Sequence, residues 1–369
     1  MVLLHGLMAG PRELAAIHSS LSNCCDLQNI LIVVPECRVG KLSLLLSLEK
    51  QTEKVFEEIC SKMESHNLDT QHTPVVLFGY SQGGLIGLNL AKKYSLQLNL
   101  KAVVTMNTPI TGVPLLETQW RTICHCFGKV KSGLEMIRQS VAEEDRSTTS
   151  SWKGERTSLH RLRTGMLCMM ARVSRSKWGM PGVKDMRCSS HFMEDIRQFL
   201  ENKSANVPYL FIGSYIDGFD QLFQVPNRSD LHGNDDELIE ALRGAYNALV
   251  TGSEGGKHDT LIPLYSQLGH KATSFEDINR YIDEQMAEVN RPKNRGVRSI
   301  SLHSPRYRNV TYKVYDGAIH TNNTAILYRD LAIMNPDIDR VNCDNSVIQD
   351  LLMFVCGKIS DHGSTSLQT

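Results

Sequence analysis

The chain has no net charge, no long apolar run and no basic leader. Forty Lys and Arg stand against 40 Asp and Glu in 369 residues, so there is no overall positive field to hold a nucleic acid. No apolar run approaches the about 18 residues that a bilayer-spanning helix requires; the best stretches, 29–35 and 42–48, are far too short. Met1 leads directly into Val2-Leu3-Leu4 with no small-residue cleavage site, and a cytoplasmic protein is expected, although export without a cleavable leader is compatible with the same residues. Paired cysteine spacing is also missing. The ten cysteines are scattered, and Cys124-His125-Cys126 is the one dense cluster. Its single intervening residue falls short of the about two to four found between zinc ligands, and no second ligand pair follows. Reduced thiols, no metal site and no cofactor are expected.

What is present is enough apolar material for a substantial core, with 41% hydrophobic and 22% charged residues. The first hundred residues alternate two patterns. Short apolar or β-branched runs at 1–4, 29–34, 75–78 and 102–106 read as strands; between them Leu14, Ile17, His18 and Leu21, then Val55, Phe56, Ile59, Cys60 and Met63, then 85–90, fall at helical spacing. Strands separated by single helices imply a parallel sheet, because parallel neighbours need a crossover. Strand-like signals return at 207–212 and 310–315, and Val347, Ile348, Leu351, Leu352 and Val355 mark a last amphipathic helix. The expected class is α/β.

The rhythm breaks after Pro114. From Arg121 to Arg187 there are 14 basic and 6 acidic residues, a local net of +8, so the remainder carries −8; six of the 14 methionines lie there too. We read 115–204 as a cap or lid inserted into a discontinuous core of 1–114 and 205–360, with a frayed tail at 361–369. A solvated helical surface is the plain interpretation of such charge. As a lid, its flexible methionines would suit apolar ligands of varied shape and its charge would attract anionic groups, such as those at a membrane surface.

Gly79-Tyr80-Ser81-Gln82-Gly83 is a Gly-x-Ser-x-Gly pentapeptide. Such a match arises by chance in about one chain in eight of this length, so its setting decides. It lies between a strand and a helix, the setting of a nucleophile elbow, where small flanking residues allow the chain to bend and lift the serine oxygen above the sheet. Gly79 and Gly83 meet that need. A serine needs a histidine to take its proton, and an acid to orient that histidine. His320 follows the strand signal at 310–315; His303, after the apolar 300–302, is a rival at the sheet edge. Asp259 stands in a Gly-rich turn ahead of Leu261-Ile262-Pro263, and Asp217, at the end of the 207–216 stretch, is the alternative acid. The backbone N–H groups of Gln82 and of Leu7, after His5-Gly6, are the candidate oxyanion donors. His5 itself reads as structural.

The blocks Val2-Leu3-Leu4-His5-Gly6-Leu7, Gly79-Tyr80-Ser81-Gln82-Gly83-Gly84, Asn107-Thr108-Pro109 and Gly256 to Ser266 together resemble the α/β-hydrolase superfamily. They look most like those of bacterial triacylglycerol lipases and esterases, with a Ser-Gln-Gly-Gly elbow similar to that of palmitoyl-protein thioesterases. The likeness covers about 1–114 and 205–357. It implies an α/β-hydrolase fold, with a mostly parallel central sheet, helices on both faces and a helical cap. It further implies a Ser81-His320-Asp259 triad, Leu7 and Gln82 as oxyanion hole, and a lipid or other acyl-ester substrate. Acyl-protein or acyl-CoA thioesters are an alternative substrate, and a binding protein with a vestigial triad is an alternative of another class. Lipases of this kind often hold a structural calcium near the acid, but no carboxylate ligands for one align here and none is assigned. Nothing in the sequence sets an oligomeric state.

Overall fold

Successive side chains of a strand point to opposite faces, and here both faces are apolar. Leu77 and Val75 of one strand enter one core while Val76, Phe78 and Tyr80 enter another; the same division holds for Val103 against Val104 and for Phe211 against Ile212. A sheet greasy on both sides must be covered on both sides. A computed structural model describes residues 1–24, 30–118, 180–202, 207–216, 233–253, 256–289, 298–320, 339–340 and 345–363, and they form that three-layered arrangement.

The sheet contains β1 (Val2–Leu4), β2 (Val75–Tyr80), β3 (Leu100–Met106), β4 (Tyr209–Tyr215), β5 (Arg298–His303) and β6 (Val310–Asp316), in spatial order β1-β2-β3-β4-β6-β5. All neighbours are parallel except β5, which closes the edge antiparallel to β6. The short β7 (Ala318–Ile319) and β8 (Asp339–Arg340) pair separately. The helices among the described residues are α1 (Ala15–Ser22), α2 (Leu42–Leu45), α3 (Leu48–Ser65), α4 (Gln82–Tyr94), α5 (Pro181–Lys184), α6 (His191–Asn202), α7 (Gly233–Thr251), α8 (Leu264–Gln267), α9 (Phe275–Ala287) and α10 (Asn345–Gly363). None is long and apolar enough to cross a membrane.

Ser47 caps α3 by accepting the Lys50 N–H, and the helix turns Leu48, Val55, Ile59 and Met63 inward. It packs with α4, which is buried from Gln82 to Ala91 and fills the space over β2 and β3. On the opposite face, α1 contributes Ile17 and Leu21 and α10 contributes Val347, Ile348, Leu351 and Val355.

Two sequence expectations are corrected. Of the apolar run at 29–34, the described residues 30–34 form no strand: Val33 alone pairs, as a bridge to Val2. β1 is only three residues long, and Pro35 has no N–H to extend a ladder. The helical pattern near Leu14 begins instead as a 3-10 turn, Pro11–Leu14, before α1 takes over. Most of the 115–204 segment lies outside the described residues. Its final part does not: Met193, Ile196, Phe199 and Leu200 of α6 are buried in the main core, making α6 a crossover helix between β3 and β4. In the tail, 361–363 end α10 and 364–369 lie outside the described residues.

Candidate active site

The carboxyl ends of parallel strands are where an open α/β sheet gathers functional loops, and four segments meet there. At the end of β2 the chain turns so sharply that Ser81 has φ 53° and ψ −124°, a region that is costly for a residue with a side chain. The turn holds because its flanks have no Cβ. A methyl group on Gly79 would collide with the Gly83 carbonyl, and one on Gly83 with the Leu4 carbonyl. Both obstacles are backbone and cannot swing aside.

Asp259, His320 and Ser81 are adjacent. The His320 Nδ1–H donates to Asp259 Oδ2 at 2.6 Å, and Nε2 lies 3.0 Å from Ser81 Oγ. An ionised carboxylate only accepts, so the proton is on Nδ1 and Nε2 is free to accept the serine hydroxyl. The His320 N–H also donates to the Asp259 carbonyl at 2.8 Å. Asp259 is fully buried and its Oδ1 accepts the N–H groups of Leu261 at 3.1 Å and Ile262 at 2.8 Å. Ser81 is 9% exposed. The rival His303 ends β5 on the exposed edge. Asp217 and the Cys124-His125-Cys126 cluster lie outside the described residues, among which no group of three or more His, Cys, Asp or Glu could hold a metal ion.

Beside the serine, the loop after β1 is pinned on both sides of Leu7. The Gly6 N–H donates to Glu13 Oε2 at 2.6 Å and the Met8 N–H to Ser43 Oγ at 2.8 Å. Among the described residues, neither the Leu7 nor the Gln82 N–H has a protein acceptor. Arg38, missed in the sequence because no motif surrounds it, ties this loop to the elbow. It is 1% exposed, and it donates to the His5 carbonyl at 2.6 Å, Gln82 Oε1 at 2.9 Å and Gln51 Oε1 at 3.1 Å. Burial lowers its pKa to about 10.

Residues 1–159 match the family model of palmitoyl protein thioesterase. A parallel sheet, a strained serine between β2 and α4, and an acid and histidine after later strands complete the pattern. The fold is that of the α/β-hydrolases. The chain is also similar to lipase 1 from Pelosinus fermentans, at 12% identity and TM-score 0.45 over 95% of this chain and 97% of that one. Phospholipase PlaB from Legionella pneumophila gives 9% and 0.45 over 95% and 62%. The mature lipase BlEst2 from Bacillus licheniformis gives 12% and 0.34 over 59% and 66%. The chain thus spans less than two thirds of PlaB and of BlEst2. No curated protein sequence matches it significantly.

Three histidines of the hydrolase core make it acid-sensitive. Burial, reinforced by the Arg38 charge, lowers His5 to about 4; burial lowers His258 to about 4 against the opposing pull of Asp259; burial and then the Arg306 charge lower His270 to about 4. Each is neutral when folded and takes up a proton near its ordinary value of about 6.5 when unfolded. Their contribution to stability is therefore complete above pH 6.5 and is lost as pH falls towards 4. Near pH 5 the three together are expected to remove about 3–4 kcal/mol per pH unit. Urea midpoints measured from pH 7 down to 4.5 check this, and a flat profile would contradict it.

Proposed function

We propose that the protein is a serine hydrolase that cleaves acyl esters of lipids through an acyl-enzyme. Ser81 Oγ attacks the acyl carbonyl while His320 Nε2 takes its proton. The oxyanion that forms accepts the N–H groups of Leu7 and Gln82, and Asp259 stabilises the imidazolium. His320 then returns the proton to the leaving alcohol, and water repeats the sequence to release the fatty acid and restore Ser81. The observation that carries this reading is the hydrogen-bond chain from Asp259 Oδ2 through His320 to the oxygen of a strained, partly exposed serine. It favours Asp259 over Asp217 as the acid.

A second reading, cleavage of acyl thioesters from proteins or coenzyme A, is favoured by the palmitoyl protein thioesterase match over 1–159. It uses the same residues, with a thiol as leaving group. The preference for anionic headgroups or carriers rests on the +8 composition of 121–187 alone.

The test is to trap the acyl-enzyme on a mixture of lipid esters and acyl thioesters and to read the Ser81 peptide by mass spectrometry. An acyl adduct on Ser81 is expected, drawn mainly from the esters. An adduct drawn mainly from the thioesters would select the second reading. A chain that forms no adduct and resists a fluorophosphonate would instead be a binding protein with a hydrolase fold.

A further inference from the structure

We propose that Asn107 is a positioning residue for the acid, fixing the direction in which Asp259 presents its carboxylate to His320; this rests on the roles proposed above for Ser81, His320 and Asp259. Asn107 is the first residue beyond β3. Its backbone turns there with φ +46°, and its N–H crosses to the Ile212 carbonyl of β4 at 2.8 Å. That anchors the residue between two strands. Its side chain is fully buried, and Nδ2 donates one hydrogen to Asp259 Oδ2 at 2.8 Å and the other to Ser214 Oγ at 2.7 Å. The carboxylate accepts only, so the amide must face it with nitrogen.

The loop that carries Asp259 belongs to no strand of the main sheet and contains Thr260 at φ 87°. It is held from behind by Gln267. That side chain donates to the Ile262 carbonyl at 2.9 Å and the Ser214 carbonyl at 3.1 Å, and accepts the Ser214 N–H at 2.8 Å. Gln267 therefore fixes the loop against the end of β4 but does not touch the carboxylate. The two carboxylate oxygens have different partners. Oδ1 is held by N–H groups of its own loop, whereas Oδ2 is shared by the His320 and Asn107 side chains. Without Asn107 the carboxylate group could rotate or tilt, and the bond that sets the His320 ring would lose its fixed direction. Among the described residues, the titratable side chains joined to Asn107 by hydrogen bonds are Asp259 directly and His320 through it, while its other partner, Ser214, is neutral.

A structural role and a positioning role predict different results for an isosteric change. In Asn107→Asp the neutral acid can still donate to Asp259, while the ionised form sets two carboxylates against each other. In Asn107→Leu no donor exists at any pH. The experiment measures the rate at which a fluorophosphonate labels Ser81 from about pH 5 to 9 in the wild type and both variants, with thermal unfolding in parallel. Asn107→Leu is expected to label about 10- to 100-fold more slowly throughout, as for a group misplaced by about an ångström. Asn107→Asp should be equally slow in alkali, and its rate relative to wild type should rise several-fold on acidification. A ratio independent of pH, or an Asn107→Leu rate within about twofold of wild type, would overturn the proposal. Should Asn107→Leu not fold, the pH dependence of Asn107→Asp decides alone. A wild-type chain that does not label defeats the functional reading and this inference with it, whereas a labelled wild type with unaffected variants defeats only the role of Asn107.

Discussion

Ser81→Ala is expected to lower acyl-ester hydrolysis by about 10⁴- to 10⁶-fold, the loss seen when a nucleophile is removed from a unit that acts together. Fluorophosphonate labelling should disappear with it. The residual rate would come from Leu7, Gln82 and substrate binding, which need no nucleophile. Stability should separate this variant from Ser81→Gly. Alanine keeps a Cβ at φ 53° and so keeps the strain of the elbow, about 1–3 kcal/mol for a non-glycine residue. Glycine relieves it, at some cost in the entropy of the unfolded chain. Ser81→Gly is therefore expected to be as inactive as Ser81→Ala and more stable by about 1 kcal/mol. Kinetics and chemical denaturation of the two variants check both halves. Retained turnover in Ser81→Ala would remove Ser81 as the nucleophile, and equal stabilities would mean the elbow stores no strain.

The second large effect is expected at Arg38. Arg38→Met keeps most of the volume but leaves the His5 carbonyl, Gln82 Oε1 and Gln51 Oε1 without the donor they now share. A buried acceptor left unpaired costs about 1–3 kcal/mol. Part of that sum is offset because the variant no longer buries a cation, so a net loss of about 2–4 kcal/mol is expected. Activity should fall more than stability alone explains. Gln82 carries one of the two N–H groups proposed to face the reacting oxygen and His5 lies two residues before Leu7, which carries the other, so loosening them should cost up to the about 10²- to 10³-fold of losing one such donor. The loss should appear in kcat more than in KM, since the oxyanion exists only in the transition state. Arg38→Lys keeps the charge but not the fork that reaches three acceptors, and should recover only part of both losses. Wild-type kcat in a folded Arg38→Met would show that the clamp is not needed for turnover.

These residues also indicate what the sequence could and could not reveal. The elbow was visible because its constraint is local: two glycines four apart and a serine between them, with a strand before and a helix after. His320 was read from its place after a strand signal and Asp259 from the Gly-rich turn and apolar clamp around it, and the structure puts the two side by side. Arg38, Asn107 and Gln267 left no such trace. Each works through bonds to residues far along the chain, Arg38 to Gln82 across 44 positions and Asn107 to Asp259 across 152, and no spacing rule marks an isolated arginine or asparagine as such a tie. Asn107 stood in a block quoted for its likeness, with no task attached. The run at 29–34 misled in the opposite way, because β-branched composition says that a segment suits a sheet but not whether a neighbouring strand is long enough to receive it.

The β3 to β4 connection has one more consequence, which concerns chain length. The Val113 N–H donates to the Met186 carbonyl at 2.9 Å, and the Ser189 N–H to Glu117 Oε1 at 2.8 Å. Points some 70 residues apart in sequence are thus stitched together by two hydrogen bonds. The entropy of closing a chain grows by only about 0.6 kcal/mol for each doubling of its length. The entropy of closing that connection is therefore nearly indifferent to how many residues stand between the stitches, so its length is set by something other than the cost of closure.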